Sequence, residues 1–257
     1  MPDLYAHRWG SSGPLVLLVH GSFATGAEEW WAQRDLSEAG CRLVAVDRRG
    51  WGQSAVASGE DFVRDGEDIA ALMEDGAHLV GHSYGALGTM MAAAARPEAT
   101  LSLTLLEPPT WTLTDEVSAR AMAGAVGALM EDVDLTDEEW VLHFLAAFGT
   151  TPATLPVGML DGLVPLVGLV RGARPPWDHD LPLTDLAAAS FPKLVVSGGH
   201  HPGWDATCDV LAARIGASRV EIPGAGHEIQ FVGTALNRVL LDLWEIDHPA
   251  GEPSTGR

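Results

Sequence analysis

Short apolar runs alternate with segments of helical periodicity along most of this 257-residue chain, and this alternation constrains the fold more than any other feature. Apolar runs of four to six residues, bounded by turn residues, are typical of strands buried on both faces of a parallel sheet. The helical segments then have to cover those two faces. The pattern therefore predicts an α/β architecture, a mostly parallel sheet flanked by helices. The predicted strands cover residues 15–19, 42–46, 77–80, 101–106, 193–197 and 219–222.

The alternation stops between residues 110 and 186, where two helical stretches are followed by a Gly- and Pro-rich apolar segment. A connection this long, with helices of its own, is rarely a simple loop. We therefore expect residues 110–186 to form a helical cap, inserted before the strand at 193–197. Residues 1–109 and 187–257 are expected to form the α/β core.

The composition argues against several classes of partner. The formal net charge is −20, and so acidic a surface repels nucleic-acid phosphates and anionic lipids. The first residues show no basic region followed by an apolar run, so no signal peptide is predicted. Two cysteines, Cys41 and Cys208, do not make a disulfide framework, which favours a reducing compartment. We expect a soluble, cytoplasmic protein that binds neither nucleic acid nor membranes.

One short motif carries most of the chemistry. Residues 81–85 read GHSYG, which fits the pattern G-x-S-x-G, and they follow a predicted strand and precede an alanine-rich helical segment. A nucleophile elbow needs that strand–turn–helix context. The turn holds the serine hydroxyl clear of the backbone, and the two glycines leave room for neighbouring chain. Ser83 is therefore the predicted nucleophile.

A serine nucleophile needs a base, because its hydroxyl reacts weakly at its free pKa. Among the ten histidines, His227 follows the run PGAG at 223–226, in the loop after the last predicted strand. The carboxyl ends of parallel strands meet at one edge of a sheet, where binding sites form. Because Ser83 lies at that same edge, His227 is the predicted general base.

Backbone N–H groups at this edge are candidates for an oxyanion hole. In such a hole the N–H groups must point to the position where negative charge develops. Tyr84, the residue after the nucleophile, is predicted to supply one N–H group. Ser22, in the loop after the first apolar strand, is predicted to supply the other. His20 begins that loop and is expected to order it rather than to react.

Four motifs, in this order and spacing, resemble those of the α/β-hydrolase superfamily. They are HG at 20–21, DRRGWGQS at 47–54, GHSYG at 81–85 and GAGH at 224–227. The resemblance covers about residues 13–245 and is greatest to the capped esterase and lactonase branch. It implies the fold, a lid over the site and a Ser-His-acid mechanism, but it implies no particular substrate.

The acid is where the sequence departs from the superfamily pattern. An aspartate usually follows the strand predicted at 193–197, but His201 occupies that place. Two carboxylates could replace it: Glu107, which ends the preceding strand, and Asp205. We prefer Glu107, because haloalkane dehalogenases and zearalenone lactonases resemble this arrangement, with the acid after that strand. Asp205 is better explained as the start or cap of a helix over 206–215.

The predicted cap has few charges near its apolar segment, so such a lid should form a mostly apolar pocket. Phe23, Trp140, Trp177 and Trp204 are candidate substrate-binding walls. We expect a carboxylic ester hydrolase or lactonase that cleaves a hydrophobic small-molecule ester or lactone through an acyl-enzyme. A second copy of the chain, forming a homodimer, is a further candidate partner.

Two rival functions are compatible with the same motifs. A lyase, cyclase or cofactor-free isomerase would use Ser83 and His227 as acid and base, and a ligand-binding relative would have lost turnover. The intact motifs argue against the second rival.

A metal is not expected at His200, His201 and His179, because adjacent histidines rarely point at one ion and no carboxylate or cysteine pattern supports them. We expect neither a metal nor a cofactor.

Overall fold

Seven strands form one sheet in the computed structural model, which describes residues 4–149 and 157–247. In chain order the strands are β1 (Ala6–Trp9), β2 (Leu15–Val19), β3 (Arg42–Val46), β4 (Ala77–His82), β5 (Thr100–Leu106), β6 (Lys193–Ser197) and β7 (Ser218–Glu221). Their order across the sheet is β1-β3-β2-β4-β5-β6-β7. The edge strand β1 pairs antiparallel with β3, and the other pairings are parallel. The predicted fold class, a mostly parallel sheet flanked by helices, is confirmed.

Helices cover both faces of the sheet. In chain order they are α1 (Gly26–Glu29), α2 (Phe62–Leu72), α3 (Ser83–Ala95), α4 (Val117–Glu131), α5 (Asp137–Ala147), α6 (Met159–Leu163), α7 (Val167–Arg171), α8 (Leu183–Ala188), α9 (Pro202–Ile215) and α10 (Thr234–Trp244). Successive strand side chains point to opposite faces. Leu17 of β2 therefore packs in the cluster with α2, α3 and α9, whereas Leu18 packs in the cluster with α10. This two-sided burial explains why the central strands are apolar throughout.

The helices α4 to α8 lie between β5 and β6, in the region that the sequence predicts as a cap; we call residues 110–186 the helical insertion. One of its apolar clusters is centred on Trp140 and includes Trp51 of the core, and another joins α4 to Trp204 of α9. The last helix, α8, runs beyond residue 186 to Ala188 and packs in the main core cluster. Within the described part of the chain, no helix is long and apolar enough to cross a membrane. Residues 1–3, 150–156 and 248–257, which belong to the predicted core and cap, lie outside the described residues.

Two details of the local structure differ from the sequence-based expectation. The helix α9 begins at Pro202 rather than at residue 206, because the His201 side chain caps it: its Nδ1 accepts from the Gly203 N–H at 3.1 Å. The prediction that Asp205 starts or caps this helix is therefore wrong. The strand β1 was not predicted, since four residues with mixed polarity at a sheet edge carry no clear period.

Candidate active site

Three side chains that the sequence singles out meet at the carboxyl edge of the sheet. His227 Nε2 lies 3.1 Å from Ser83 Oγ, and His227 Nδ1 lies 2.6 Å from Glu107 Oε2. Ser83 follows β4, Glu107 follows the neighbouring β5, and His227 comes from the loop after β7. The structure thus joins a hydroxyl, an imidazole and a carboxylate in one hydrogen-bonded chain, the arrangement that activates a serine for nucleophilic attack.

The backbone around these residues is held in an uncommon conformation. In the described chain, five residues other than glycine have a positive φ, and three of them border the site: Phe23 (64°), Ser83 (48°) and Glu107 (40°). A side chain in the left-handed region is strained, and such strain is found most often at functional sites. At Ser83 it lets β4 turn directly into α3, which begins at the serine itself.

Glycines let the neighbouring segments approach the elbow. A Cβ on Gly85 would lie 2.1 Å from the carbonyl oxygen of His20, and a Cβ on Gly81 would lie 2.7 Å from Cα of Ala86. A larger residue at Gly85 would therefore displace main chain, and one at Gly81 would collide both with main chain and with the Thr89 hydroxyl, 2.0 Å from its Cβ. The contact at Gly85 brings the loop of residues 20–23 against the start of α3.

Glu107 is buried and carries a negative charge. Burial alone would raise the pKa of its carboxyl group, but hydrogen bonds from His200 and His227, together with the charge of His227, lower the pKa to about 2. The second oxygen, Oε1, accepts from the Gly198 N–H at 2.8 Å and lies 3.4 Å from His200 Nδ1. Glu107 is therefore an ionised carboxylate, and each of its two oxygens accepts a hydrogen bond.

Asp205, the alternative acid, points elsewhere. Its Oδ1 accepts from the Ser197 hydroxyl at 2.5 Å and lies 3.5 Å from Arg219 Nη2. Asp205 thus stabilises the end of β6 and the side of β7, while Glu107 holds the His227 imidazole.

Hydrogen bonds from Arg48 hold the loop that is predicted to carry one oxyanion N–H group. Arg48 is buried and donates to the His20 and Gly21 carbonyl oxygens, each at 2.8 Å, and its backbone N–H donates to His20 Nε2 at 3.0 Å. Burial and the nearby Arg48 charge hold the pKa of His20 well below its usual value. His20 is therefore a neutral ring that orders the loop, as the sequence analysis expects.

Two carboxylates that the sequence reasoning missed complete this bracing. Glu60 is buried, pairs with Arg48 and accepts from the Ser22 hydroxyl at 2.7 Å. Ser22 and Tyr84 both border a small cavity of about 30 Å³ beside Ser83. The Tyr84 N–H belongs to the first turn of α3, whose N–H groups have no partner within the helix. The second missed carboxylate, Glu29, accepts from the Gly21 N–H.

A larger cavity of about 450 Å³ also borders Ser83. Its walls are mostly apolar and combine core and helical-insertion residues, among them Phe23, Phe144, Phe148, Leu163 and Phe231, and His227 also borders it. Phe23 is thus a wall of the cavity, as predicted from the sequence.

The three predicted tryptophan walls lie elsewhere. Trp140 is fully buried behind Phe144, on which its ring stacks at 5.1 Å, and Trp177 borders a separate surface cavity with Leu113. Trp204 is fully buried as well. Its ring stacks on the His227 imidazole with centroids 4.6 Å apart, so it supports the imidazole instead of lining the cavity. The prediction of these three as walls of the cavity beside Ser83 is wrong, because packing turns Trp140 and Trp204 into the interior and places Trp177 at a different cavity.

In the described part of the chain, one group of side chains of metal-ligand type comes together. Atoms of Glu29, His82 and Glu228 lie within 4.8 Å of one another. Both ring nitrogens of His82 face hydrogen-bond acceptors, Glu29 Oε1 and the His227 carbonyl oxygen, each at 3.0 Å. These hydrogen bonds account for the approach of His82 to Glu29 without a metal ion.

A model of the α/β-hydrolase family matches residues 16–238. The chain belongs to the α/β-hydrolase family. Over 249 residues the hydrolase is 28% identical to the "Putative carbamate hydrolase RutD" of Klebsiella pneumoniae, covering 90% of this chain and 91% of the relative.

The hydrolase is also similar to solved structures. An α/β hydrolase from Sphaerobacter thermophilus superposes with a TM-score of 0.69 at 25% identity, covering 95% of this chain and 99% of the other. A thermophilic esterase from Thermogutta terrifontis superposes with a TM-score of 0.66 at 22% identity, over 93% of each chain. The second likeness concerns the fold alone. Family and relatives together support hydrolysis as the class of reaction.

Proposed function

We propose that the protein is a serine hydrolase that cleaves a carboxylic ester or lactone of a hydrophobic small molecule through an acyl-enzyme. The observation that carries this proposal is the hydrogen-bonded chain from Ser83 through His227 to Glu107, at the wall of a mostly apolar cavity. An exposed hydroxyl alone would be a weak nucleophile, and this chain supplies the base that it needs.

Each group has a defined part in the proposed reaction. Ser83 Oγ attacks the carbonyl carbon while His227 Nε2 takes its proton, and Glu107 stabilises the imidazolium that forms. The N–H groups of Ser22 and Tyr84 bind the oxyanion. His227 then gives the proton to the leaving alkoxide, and the same groups activate water to release the acid from Ser83.

The two cavities beside Ser83 suggest how an ester would lie. The leaving oxygen must be within reach of the general acid, and His227 borders the cavity of about 450 Å³. The alcohol portion therefore belongs in that cavity. The acyl chain belongs in the second cavity beside Ser83, which has a volume of about 30 Å³ and is lined by residues that include Tyr84 and Val126. This favours substrates with a short acyl group and a larger apolar alcohol.

The helical insertion is proposed to act as the cap. It contributes Phe144, Phe148 and Leu163 to the larger cavity and Val126 and Met130 to the smaller one. Such a cap excludes water from the reacting carbonyl, which strengthens the electrostatic interactions there.

A carbamate is the second candidate substrate. The similarity to the RutD relative extends over nine-tenths of both chains, and a carbamate carbonyl can be attacked by the same serine. Its amide nitrogen would, however, occupy the small cavity, whose walls are mostly apolar side chains such as Val126, Met130 and Phe148. Of the polar side chains that line it, Glu60 already pairs with Arg48 and accepts from the Ser22 hydroxyl. An amide would be poorly hydrogen-bonded there, so the ester is preferred.

A substrate panel tests the proposal. Turnover of p-nitrophenyl acetate, p-nitrophenyl octanoate, a simple δ-lactone and an aryl carbamate is measured with the wild-type protein and with Ser83→Ala. We expect the acetate to exceed the octanoate in kcat/KM, and Ser83→Ala to lower kcat by about 10³-fold or more. Faster turnover of the carbamate than of the acetate would favour the second candidate. Hydrolysis that persists in a folded Ser83→Ala protein would contradict both.

A further inference from the structure

We propose that the buried pair of Glu29 and His82 is a positioning element of the active site, in which Glu29 keeps His82 as an imidazolium cation that fixes the His227 loop. The inference rests on the proposed function, since it assigns residues that act through His227. Neither residue takes part in the chemistry proposed above.

The pair lies directly beneath the nucleophile. Glu29 is the last residue of α1 and His82 the last residue of β4, and both side chains are almost fully buried. His82 Nδ1 lies 3.0 Å from Glu29 Oε1, and His82 Nε2 lies 3.0 Å from the backbone carbonyl oxygen of His227. Glu29 also accepts from the Gly21 N–H, at 3.1 Å to Oε1 and 3.0 Å to Oε2.

These contacts determine where the protons are. A backbone carbonyl only accepts, so His82 Nε2 carries a proton. The Gly21 N–H donates toward both oxygens of Glu29, as expected for a carboxylate, and the remaining proton of the pair then lies on His82 Nδ1. Burial by itself lowers the pKa of His82, but the charge and hydrogen bond of Glu29 outweigh it and raise the pKa to about 9.

The pair connects three separate segments of the site. Gly21 precedes Ser22 in the loop of residues 20–23, and His82 precedes Ser83 in the elbow. The His227 carbonyl belongs to the loop that carries the proposed base. One buried ion pair therefore sets the mutual positions of all three. A displacement of about 1 Å in such an arrangement can lower the rate by about 100-fold.

The surroundings of His82 are mainly acidic. His82 is faced by Glu29, Glu228, Glu107 and the neutral ring of His20. Its ring centroid lies 4.7 Å from that of His227. The three carboxylates favour the cationic form of His82, which donates to the His227 carbonyl oxygen.

Two further groups act on His227 itself. Glu107 accepts from its Nδ1 at 2.6 Å, and the His200 ring lies 6.3 Å away. Because His82 loses its proton as the pH rises through about 9, the wild-type rate should fall on that alkaline side. Burial also raises the pKa of Glu29, so the ion pair exists from the pH at which Glu29 ionises up to about 9 and is lost above it.

The test compares Glu29→Gln and His82→Gln with Glu38→Gln, in which an exposed glutamate outside the site loses the same charge. We expect Glu29→Gln to lower kcat by about 10- to 100-fold with a smaller change in KM. The alkaline limb near pH 9 should disappear. Profiles of Glu29→Gln and His82→Gln that keep the wild-type kcat and the wild-type alkaline limb would overturn the proposal.

Nitrogen NMR of the wild-type protein provides a measurement that does not depend on turnover. At pH 7, both nitrogens of His82 should be protonated, with the assignment made by loss of the signal in His82→Gln. An unprotonated nitrogen on His82 would overturn the proposal. Labelling of Ser83 by a fluorophosphonate separates the two hypotheses: a wild-type protein that is not labelled contradicts the proposed serine hydrolase, while the NMR result still decides the state of the pair.

Discussion

The substitution Glu107→Gln tests the proposed acid with almost no change of shape. In the wild type, one carboxylate oxygen accepts from His227 Nδ1 at 2.6 Å and the other accepts from the Gly198 N–H at 2.8 Å. A glutamine has only one accepting oxygen. Its NH₂ group would therefore face an N–H group on one side, so either the His227 tautomer changes or the turn at Gly198 loses its acceptor.

The expected loss has a kinetic and a thermodynamic part. A wrong tautomer of the base costs about 10²- to 10⁴-fold in kcat, or about 3–5 kcal/mol of transition-state stabilisation. The pKa of Glu107 is lowered from 4.5 to about 2, which corresponds to about 3 kcal/mol of stability at neutral pH. That stability is present above the ordinary carboxyl pKa and is lost as the pH falls through about 2. Glu107→Gln should therefore lower Tm by roughly 6–12 °C at pH 7.

The assay is kcat for p-nitrophenyl acetate at pH 7, together with thermal unfolding of each protein. Asp205→Asn is the matched control, because it changes the same kind of group at the same sheet edge without contact to His227. A folded Glu107→Gln protein within tenfold of the wild type would refute the reasoning. So would an Asp205→Asn protein that loses as much activity.

Three further substitutions separate packing from chemistry. Gly85→Ala should prevent a correctly formed elbow, because its Cβ would lie 2.1 Å from the carbonyl oxygen of His20; a wild-type Tm would show that this is wrong. Arg48→Met should lower the free energy of unfolding in urea by about 3–5 kcal/mol, because it leaves two buried carboxylates without their cation; an unchanged urea midpoint would argue against it. Trp140→Ala should cost about 3–5 kcal/mol and change all substrates equally, since Trp140 is core rather than cavity wall; a selective change in substrate preference would contradict that.

The central strands and the elbow could be predicted because their signals are local. A run such as residues 15–19 is apolar on both faces, and the structure places it as β2 with the predicted bounds. Ser83 and His227 follow strands of one parallel sheet, so the topology brings them to the same edge whatever the details of the loops. Glu107 could be proposed because its strand neighbours the nucleophile strand.

The bracing residues and the cavity walls could not be predicted in the same way. Glu29 and Glu60 are buried through contacts with segments far along the chain, and no sequence pattern predicts those contacts. A tryptophan in an apolar segment can face a cavity or the core with equal ease at the level of sequence. The tertiary packing places Trp204 against the His227 ring and Trp140 behind the cavity.

Detection of the acyl-enzyme is the most direct test of the central claim. The protein is mixed with an excess of p-nitrophenyl acetate, quenched in acid within the first turnovers, and its mass is measured intact and after proteolysis. We predict a rapid release of nitrophenolate, one acetyl group per chain and its location on the peptide that contains Ser83, all absent in Ser83→Ala. Steady hydrolysis with no adduct on Ser83 would contradict the account.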